Sequence, residues 1–203
     1  MHAKPHFARR IPSALILGSA ALIAHGILAQ AALAQGFVED SSATLSTSNI
    51  YFNRDFREGA GQSKREEWAQ GFILHLKSGY TPGTIGFGLD AQAMLGVKLD
   101  SSPDRTGTGL LPTHDDGRAA DEYSKLNLTA KARVSESELL VGSLLPKLPT
   151  LNPNTSRILP QTFEGGMATI NEFDNLSISA GRLTKAKDRD STDAQKITSN
   201  RPF

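Results

Sequence analysis

The 203-residue sequence contains no cysteine, which excludes a disulfide framework in this chain. Neither sign of charge prevails, since 22 Lys and Arg residues stand against 21 Asp and Glu residues and the formal net charge is +1. A near-neutral chain gives no support for nucleic-acid binding, which requires a basic surface. After residue 34 no apolar run approaches about 18 residues, so no transmembrane helix is predicted, although membrane-spanning strands would not produce such a run either.

The first 34 residues differ in kind from the rest. A basic stretch, "MHAKPHFARR", has three basic residues and no acidic one, and an apolar stretch follows that ends in the small-residue pattern Ala-Leu-Ala at Ala34. This order predicts a secretory signal peptide over 1–34, cleaved after Ala34; an N-terminal membrane anchor is the alternative. Removal of the three basic residues takes the formal net charge from +1 to −2 for 35–203.

The remaining sequence alternates between apolar and polar residues with a period of two. In "TIGFGLDAQAMLGVKLD", at 84–100, every odd position from Ile85 to Leu99 is apolar, while the even positions hold mainly glycine and polar residues. This pattern is typical of a strand with one apolar and one polar face. About seven such strands are predicted and no helix, and the connections alternate between short (79–82, 135–137, 174–175) and long (54–66, 98–121, 146–160).

Strand length and connection length together favour a membrane barrel. A tilted strand needs about 9–11 residues to cross the hydrocarbon, and 85–97 is long enough. Asp90 lies in the middle of that segment, where a charge facing lipid would cost about 2–4 kcal/mol, so its face is assigned to the lumen. The predicted fold is therefore all-β, a transmembrane antiparallel β-barrel. A soluble periplasmic or secreted β-sandwich binding module, with the apolar faces as its inner core, explains the alternation equally well.

The charged residues suggest a wall that attracts anions rather than a catalytic site. Lys125, Lys131 and Arg133 share the polar face of "YSKLNLTAKARV", and we predict that they line the lumen together with Asp90, which opposes their charge. A solvated sheet face is the alternative. After residue 34 no histidine has a second histidine at metal-ligand spacing and no catalytic set is visible, so neither enzyme activity nor a cofactor or metal is expected.

Three segments add a resemblance to a known family. "GFVEDSSATLSTSNIYFNRDFRE", "EWAQGFILHLKSGYTPGTIGFGLDAQAMLGVKLD" and "KLPTLNPNTSRILPQTFEGG" resemble, in the same order and through essentially all of 35–203, the OprD family of substrate-specific bacterial outer-membrane porins. The resemblance implies an outer-membrane location and a monomeric barrel of about 18 strands. It also implies passive diffusion of small carboxylate solutes, namely amino acids and aromatic acids, through a narrow pore.

The same resemblance implies a constriction and a set of partners. In the family the third long loop folds into the lumen, and here that loop is 146–160, with Lys147, Asn152, Asn154 and Arg157 as its predicted constriction residues. Its four prolines suit a loop that must keep its shape without strand hydrogen bonds. Outer-membrane lipid, periplasmic chaperones and the barrel-assembly machinery are the implied partners. Because only about seven strands are predicted, 35–203 is interpreted as the N-terminal portion of such a porin.

Overall fold

The computed structural model describes residues 36–58 and 61–198, so the predicted signal peptide lies outside the described residues. These residues contain strands and connections but no helix, and so none that could cross a bilayer. The strands are β1 (Ser42–Asp55), β2 (Lys64–Lys77), β3 (Ile85–Asp100), β4 (Glu122–Val134), β5 (Ser137–Leu144), β6 (Thr162–Phe173), β7 (Leu176–Lys187) and β8 (Ala194–Lys196).

The strands form one antiparallel sheet in which each strand pairs with the next along the chain. Paired residues face the same side, so Asp90 on β3 stands beside Thr129 on β4 and Gly88 stands beside Lys131. Within the described residues β1 and β8 are the two edges of the sheet. The sheet is therefore a half-barrel, with one concave and one convex face.

The distribution of apolar and polar residues between the exposed and buried faces is the opposite of that in a soluble protein. On β4, Leu126 on the convex face is 64% exposed, whereas Lys125 and Asn127 on the concave face are 4% and 3% exposed. The odd-numbered large apolar residues of β3, from Ile85 to Leu99, are mostly exposed in the same way. A β-sandwich would bury this apolar face in its core, so the sandwich interpretation is wrong and the barrel fold is confirmed.

The structure corrects the number of strands. The sequence predicts about seven strands, but the described residues contain eight: β7 ends at Lys187, and the three-residue β8 pairs with its end through Lys185 and Lys196. A strand of three residues is too short to show an alternating pattern, so periodicity could not reveal it.

Two long connections fold back over the concave face and form its core. Residues 101–121 between β3 and β4 contribute Leu110 and Leu111, and residues 145–161 between β5 and β6 contribute Ile158 and Leu159, all almost fully buried. They pack on Ala69, Met94 and Tyr123 of the sheet. The second connection contains the predicted constriction loop; the first lies within the predicted long connection 98–121, for which the sequence predicts no inward course.

Candidate functional site on the concave face

Two of the predicted lumen residues form an ion pair. Lys131 Nζ lies 2.7 Å from Asp90 Oδ1 and donates a hydrogen bond to the carbonyl oxygen of Ser78 at 2.7 Å. The Lys131 side chain is 8% exposed and that of Asp90 26%. The ammonium group is thus neutralised within the wall, and its predicted role in attracting anions remains a prediction.

Arg133 lies further along the same strand, beside the turn between β2 and β3. Its guanidinium carbon is 4.3 Å from the centre of the Tyr80 ring, and Lys131 Nζ approaches the same ring at 4.8 Å. The Tyr80 hydroxyl donates a hydrogen bond to Glu138, and burial together with this bond raises the pKa of Tyr80. Of the four predicted lumen residues, Arg133 is the most exposed.

Lys125 is not close to the other three. Its ammonium group donates hydrogen bonds to the carbonyl oxygens of Asp188 and, at 2.9 Å, of Arg189. These two residues belong to the connection between β7 and β8. Lys125 therefore holds that connection against the concave face, and its buried charge serves a structural contact.

The predicted constriction residues divide into two groups. Lys147 and Asn152 are exposed and line a cleft of about 900 Å³ between their loop and the concave face, to which Asp90, Gln92 and Asn127 also contribute. A hydrogen-bonded row crosses the floor of this cleft: Gln92 Nε2 donates to His75 Nε2 at 2.9 Å, and Asn127 Nδ2 donates to Gln92 Oε1 at 3.0 Å.

Asn154 and Arg157 lie at the other side of the loop, near a second arginine. Asn154 Oδ1 accepts hydrogen bonds from the amide and the hydroxyl of Ser156, at 3.1 and 2.8 Å, which shapes the turn. Ser156 Oγ in turn accepts from Arg157 Nη1 at 3.3 Å and from Arg189 Nη1 at 3.0 Å. Burial and the nearby positive charge of Arg189 lower the pKa of Arg157.

The arginine pair brings two positive charges together beside the Asp190 carboxylate, which partly offsets the lowering of the Arg157 pKa. None of the ion pairs in the described part of the chain includes Arg157 or Arg189. Arg189 was missed from the sequence because it lies outside every alternating segment. Its only signal is its place in the run "KAKDRD", which is rich in both signs of charge.

Comparison with known proteins assigns the chain to a family. The model of the outer membrane porin OprD family matches residues 35–202. The chain belongs to the OprD family. OprD-family porins are outer-membrane proteins, which places this chain there, and they are channels rather than enzymes.

Curated relatives agree with the OprD assignment. Porin-like protein GalP of Pseudomonas putida is 46% identical over 167 residues, covering 82% of this chain and 41% of GalP. Porin D of Pseudomonas aeruginosa is 42% identical over 166 residues, covering 82% of this chain and 37% of Porin D. The chain thus spans about two fifths of the length of the curated OprD-family relatives that it matches.

Solved structures of outer-membrane porins share the fold. Pseudomonas aeruginosa OccK9 (OpdG) superposes with a TM-score of 0.77 at 55% identity, covering 79% of this chain and 42% of OccK9. Pseudomonas aeruginosa OpdK with vanillate superposes with a TM-score of 0.74 at 48% identity, covering 80% of this chain and 41% of OpdK. The half-barrel therefore corresponds to about two fifths of these OprD-type chains.

Proposed function

We propose that this chain forms part of the wall and constriction of an outer-membrane channel through which small carboxylate solutes diffuse passively. The observation that carries the proposal is the arginine pair: Arg157 and Arg189 converge on Ser156 Oγ over the concave face, and neither belongs to an ion pair of the described residues. Arginine offers several planar N–H donors, which suits recognition of a carboxylate. The proposed solutes are amino acids and aromatic acids.

The environment of the pair supports weak, repeated contact rather than tight binding. Its arginines are only partly buried, whereas the ammonium group of Lys131 pairs with Asp90 and that of Lys125 donates hydrogen bonds to the connection between β7 and β8. A channel requires contacts strong enough to admit a solute and weak enough to release it. OpdK, which this chain resembles over 80% of its length, has been solved with vanillate, an aromatic carboxylate.

The predicted division of the chain and its partners belong to the same proposal. Residues 1–34 act as a signal peptide, and 35–203 are the N-terminal portion of the barrel. The exposed apolar side chains of the convex face support outer-membrane lipid as their partner, with periplasmic chaperones and the barrel-assembly machinery before insertion. We further propose a monomeric state, no catalysis and no resident cofactor.

Planar-bilayer recording of the protein purified from outer membranes tests the solute class. We expect a current that prefers anions and is blocked by benzoate but not by neutral benzyl alcohol. The double variant Arg157→Gln/Arg189→Gln should lose this discrimination, because two cationic groups leave the pathway. Arg182→Gln is the matched control, since Arg182 is exposed on β7 and pairs with Gly166 on the convex face. Equal benzoate block in all three proteins would contradict the proposal.

A further inference from the structure

A buried carboxylate lies on the concave face, separate from the arginine pair on which the proposed pathway depends. Glu67 of β2 is 0% exposed, and none of the ion pairs within the described segments includes it. Burying a carboxylate without a cation is costly unless several hydrogen bonds satisfy it. A leucine of similar size would avoid that cost, so the carboxylate must provide something that an apolar side chain does not.

Glu67 provides hydrogen-bond acceptors that fix the connection between β3 and β4 at two points. Oε1 accepts from the Ser101 hydroxyl at 3.2 Å, where the connection begins. Oε2 accepts from the Thr108 amide at 3.0 Å and also from the Thr108 hydroxyl. Thr108 is flanked by Gly107 and Gly109, with φ of +87° and +76°, so the chain turns sharply toward Glu67 and away again.

Thr108 connects Glu67 to the arginine pair, because it contacts both Glu67 and Arg157. Its carbonyl oxygen accepts a hydrogen bond from Arg157 Nε at 2.9 Å. The Arg157 guanidinium carbon also lies 4.6 Å from the centre of the Phe52 ring, and Phe52 is the direct cross-strand neighbour of Glu67. One cross-strand pair therefore determines two contacts of the guanidinium group; its other contacts are the hydrogen bonds from Arg157 Nη1 to the carbonyl and hydroxyl oxygens of Ser156, at 2.8 and 3.3 Å.

We propose that Glu67 is a positioning residue for the solute pathway: through Thr108 it fixes the direction in which Arg157 presents its guanidinium. The inference rests on the proposed function, because it names what holds one half of the carboxylate-attracting pair. Glu67 does not touch the solute. Its negative charge is incidental, and its two oriented oxygens are what matter.

Comparison of Glu67→Leu with Glu67→Gln distinguishes a need for the oriented hydrogen-bond acceptors of Glu67 from a need for its negative charge. Leu removes every acceptor, while Gln keeps one carbonyl oxygen for Thr108 and a side-chain amide to which the Ser101 hydroxyl can rotate. With Glu67→Leu, we expect the benzoate concentration that half-blocks the current to rise about tenfold, as for the loss of one charge-assisted hydrogen bond. With Glu67→Gln it should stay within about twofold of the parent value, because the Thr108 contact survives.

A second measurement does not depend on conductance. The chain has no cysteine, so spin labels can be attached to introduced cysteines at Thr155, exposed on the constriction loop, and Thr47, exposed on β1. The label-to-label distance distribution should be narrow in the parent and in Glu67→Gln, and broad in Glu67→Leu. If Glu67→Leu does not insert, Thr108→Val replaces it, because it removes one donor of the same contact at constant size.

The outcomes distinguish the proposals. Similar effects of Gln and Leu would overturn the positioning role in favour of charge, and so would a narrow distribution in Glu67→Leu. A broad distribution with unchanged benzoate block would also overturn it, because loop position would then not govern the pathway. A parent that does not conduct refutes the proposed function alone, since the label distances still report on the position of the constriction loop.

Tyr51→Phe is the control variant. It removes the 2.9 Å hydrogen bond to Glu66, which is next to Glu67 in sequence but lies on the convex face.

Discussion

At the residue scale, the concave face leaves no space for an added methyl group at Gly96. A Cβ there would lie 2.3 Å from Cε1 of the Tyr123 ring. The Tyr123 hydroxyl shares its proton between the carbonyl oxygens of Leu110 at 3.0 Å and Arg189 at 3.1 Å, so the ring joins the connection 101–121 and the connection between β7 and β8 to the sheet. Glycine at this position is required by the close approach of the ring, not by its own dihedral angles.

We therefore expect Gly96→Ala to lower the free energy of unfolding in detergent micelles by about 1–3 kcal/mol, as overpacking of a filled interior does. Urea titration followed by the fluorescence of Trp68, the only tryptophan, measures this. Gly61→Ala is the matched control, since an added Cβ there would meet no atom within 4 Å. A Gly96→Ala protein as stable as the control would show that the Tyr123 ring moves aside without cost.

The buried ion pair supports a second residue-scale prediction. Asp90→Ala leaves Lys131 buried with two neutral partners, the Ser78 carbonyl and the Tyr80 ring, and we expect it to destabilise the protein by about 2–3 kcal/mol. Lys131→Met should cost less, because its apolar chain can fill the same space. Denaturation of both single variants and of the double variant gives the coupling energy. A coupling near zero would show that the pair is loose in solution.

At the element scale, we expect successive side chains of a strand to face lipid and the water-filled lumen in turn. Labels at odd positions of β3 such as Phe87, Leu89 and Leu95 should collide with lipid-dissolved oxygen, while labels at Gln92 and Met94 should not, because those even positions face the concave side. Power-saturation measurements on single-cysteine variants in membranes detect the difference. If the odd-numbered labels are shielded from oxygen, the assignment of the two faces fails.

How much of each element could be predicted depended on its periodicity. The faces of β3 and β4 were predicted because alternation over more than ten residues fixes them. The inward course of 101–121 was not, since Leu110 and Leu111 are two adjacent apolar residues in a polar segment and carry no period. Arg189 and Glu67 were missed for a related reason: their roles depend on contacts between distant segments, with Glu67 and Thr108 separated by 41 positions.

At the scale of the whole molecule, the arrangement of apolar surface decides how the protein behaves in water. Many large apolar residues of the described chain are exposed, and on the strands they cover the convex face from β2 to β7. The exposed apolar residues of the convex face include Phe72, Leu74, Phe87, Leu89, Leu126, Leu128, Leu139, Val141, Ile170 and Ile178. Soluble monomers seldom expose contiguous apolar patches of this kind, so we expect this surface to be covered by lipid or detergent.

Fractionation of cells tests this. We expect the protein to sediment with the outer membrane, to resist release by osmotic shock and to dissolve only in detergent, because transfer of the convex face to water would expose its apolar side chains. A Leu89→Arg variant should insert less well than Leu89→Ala, since a charge at the lipid-facing midplane costs about 2–4 kcal/mol. Release of the parent by osmotic shock as a soluble monomer would contradict the assignment of the apolar face to lipid, and equal insertion of the two variants would place Leu89 away from the hydrocarbon.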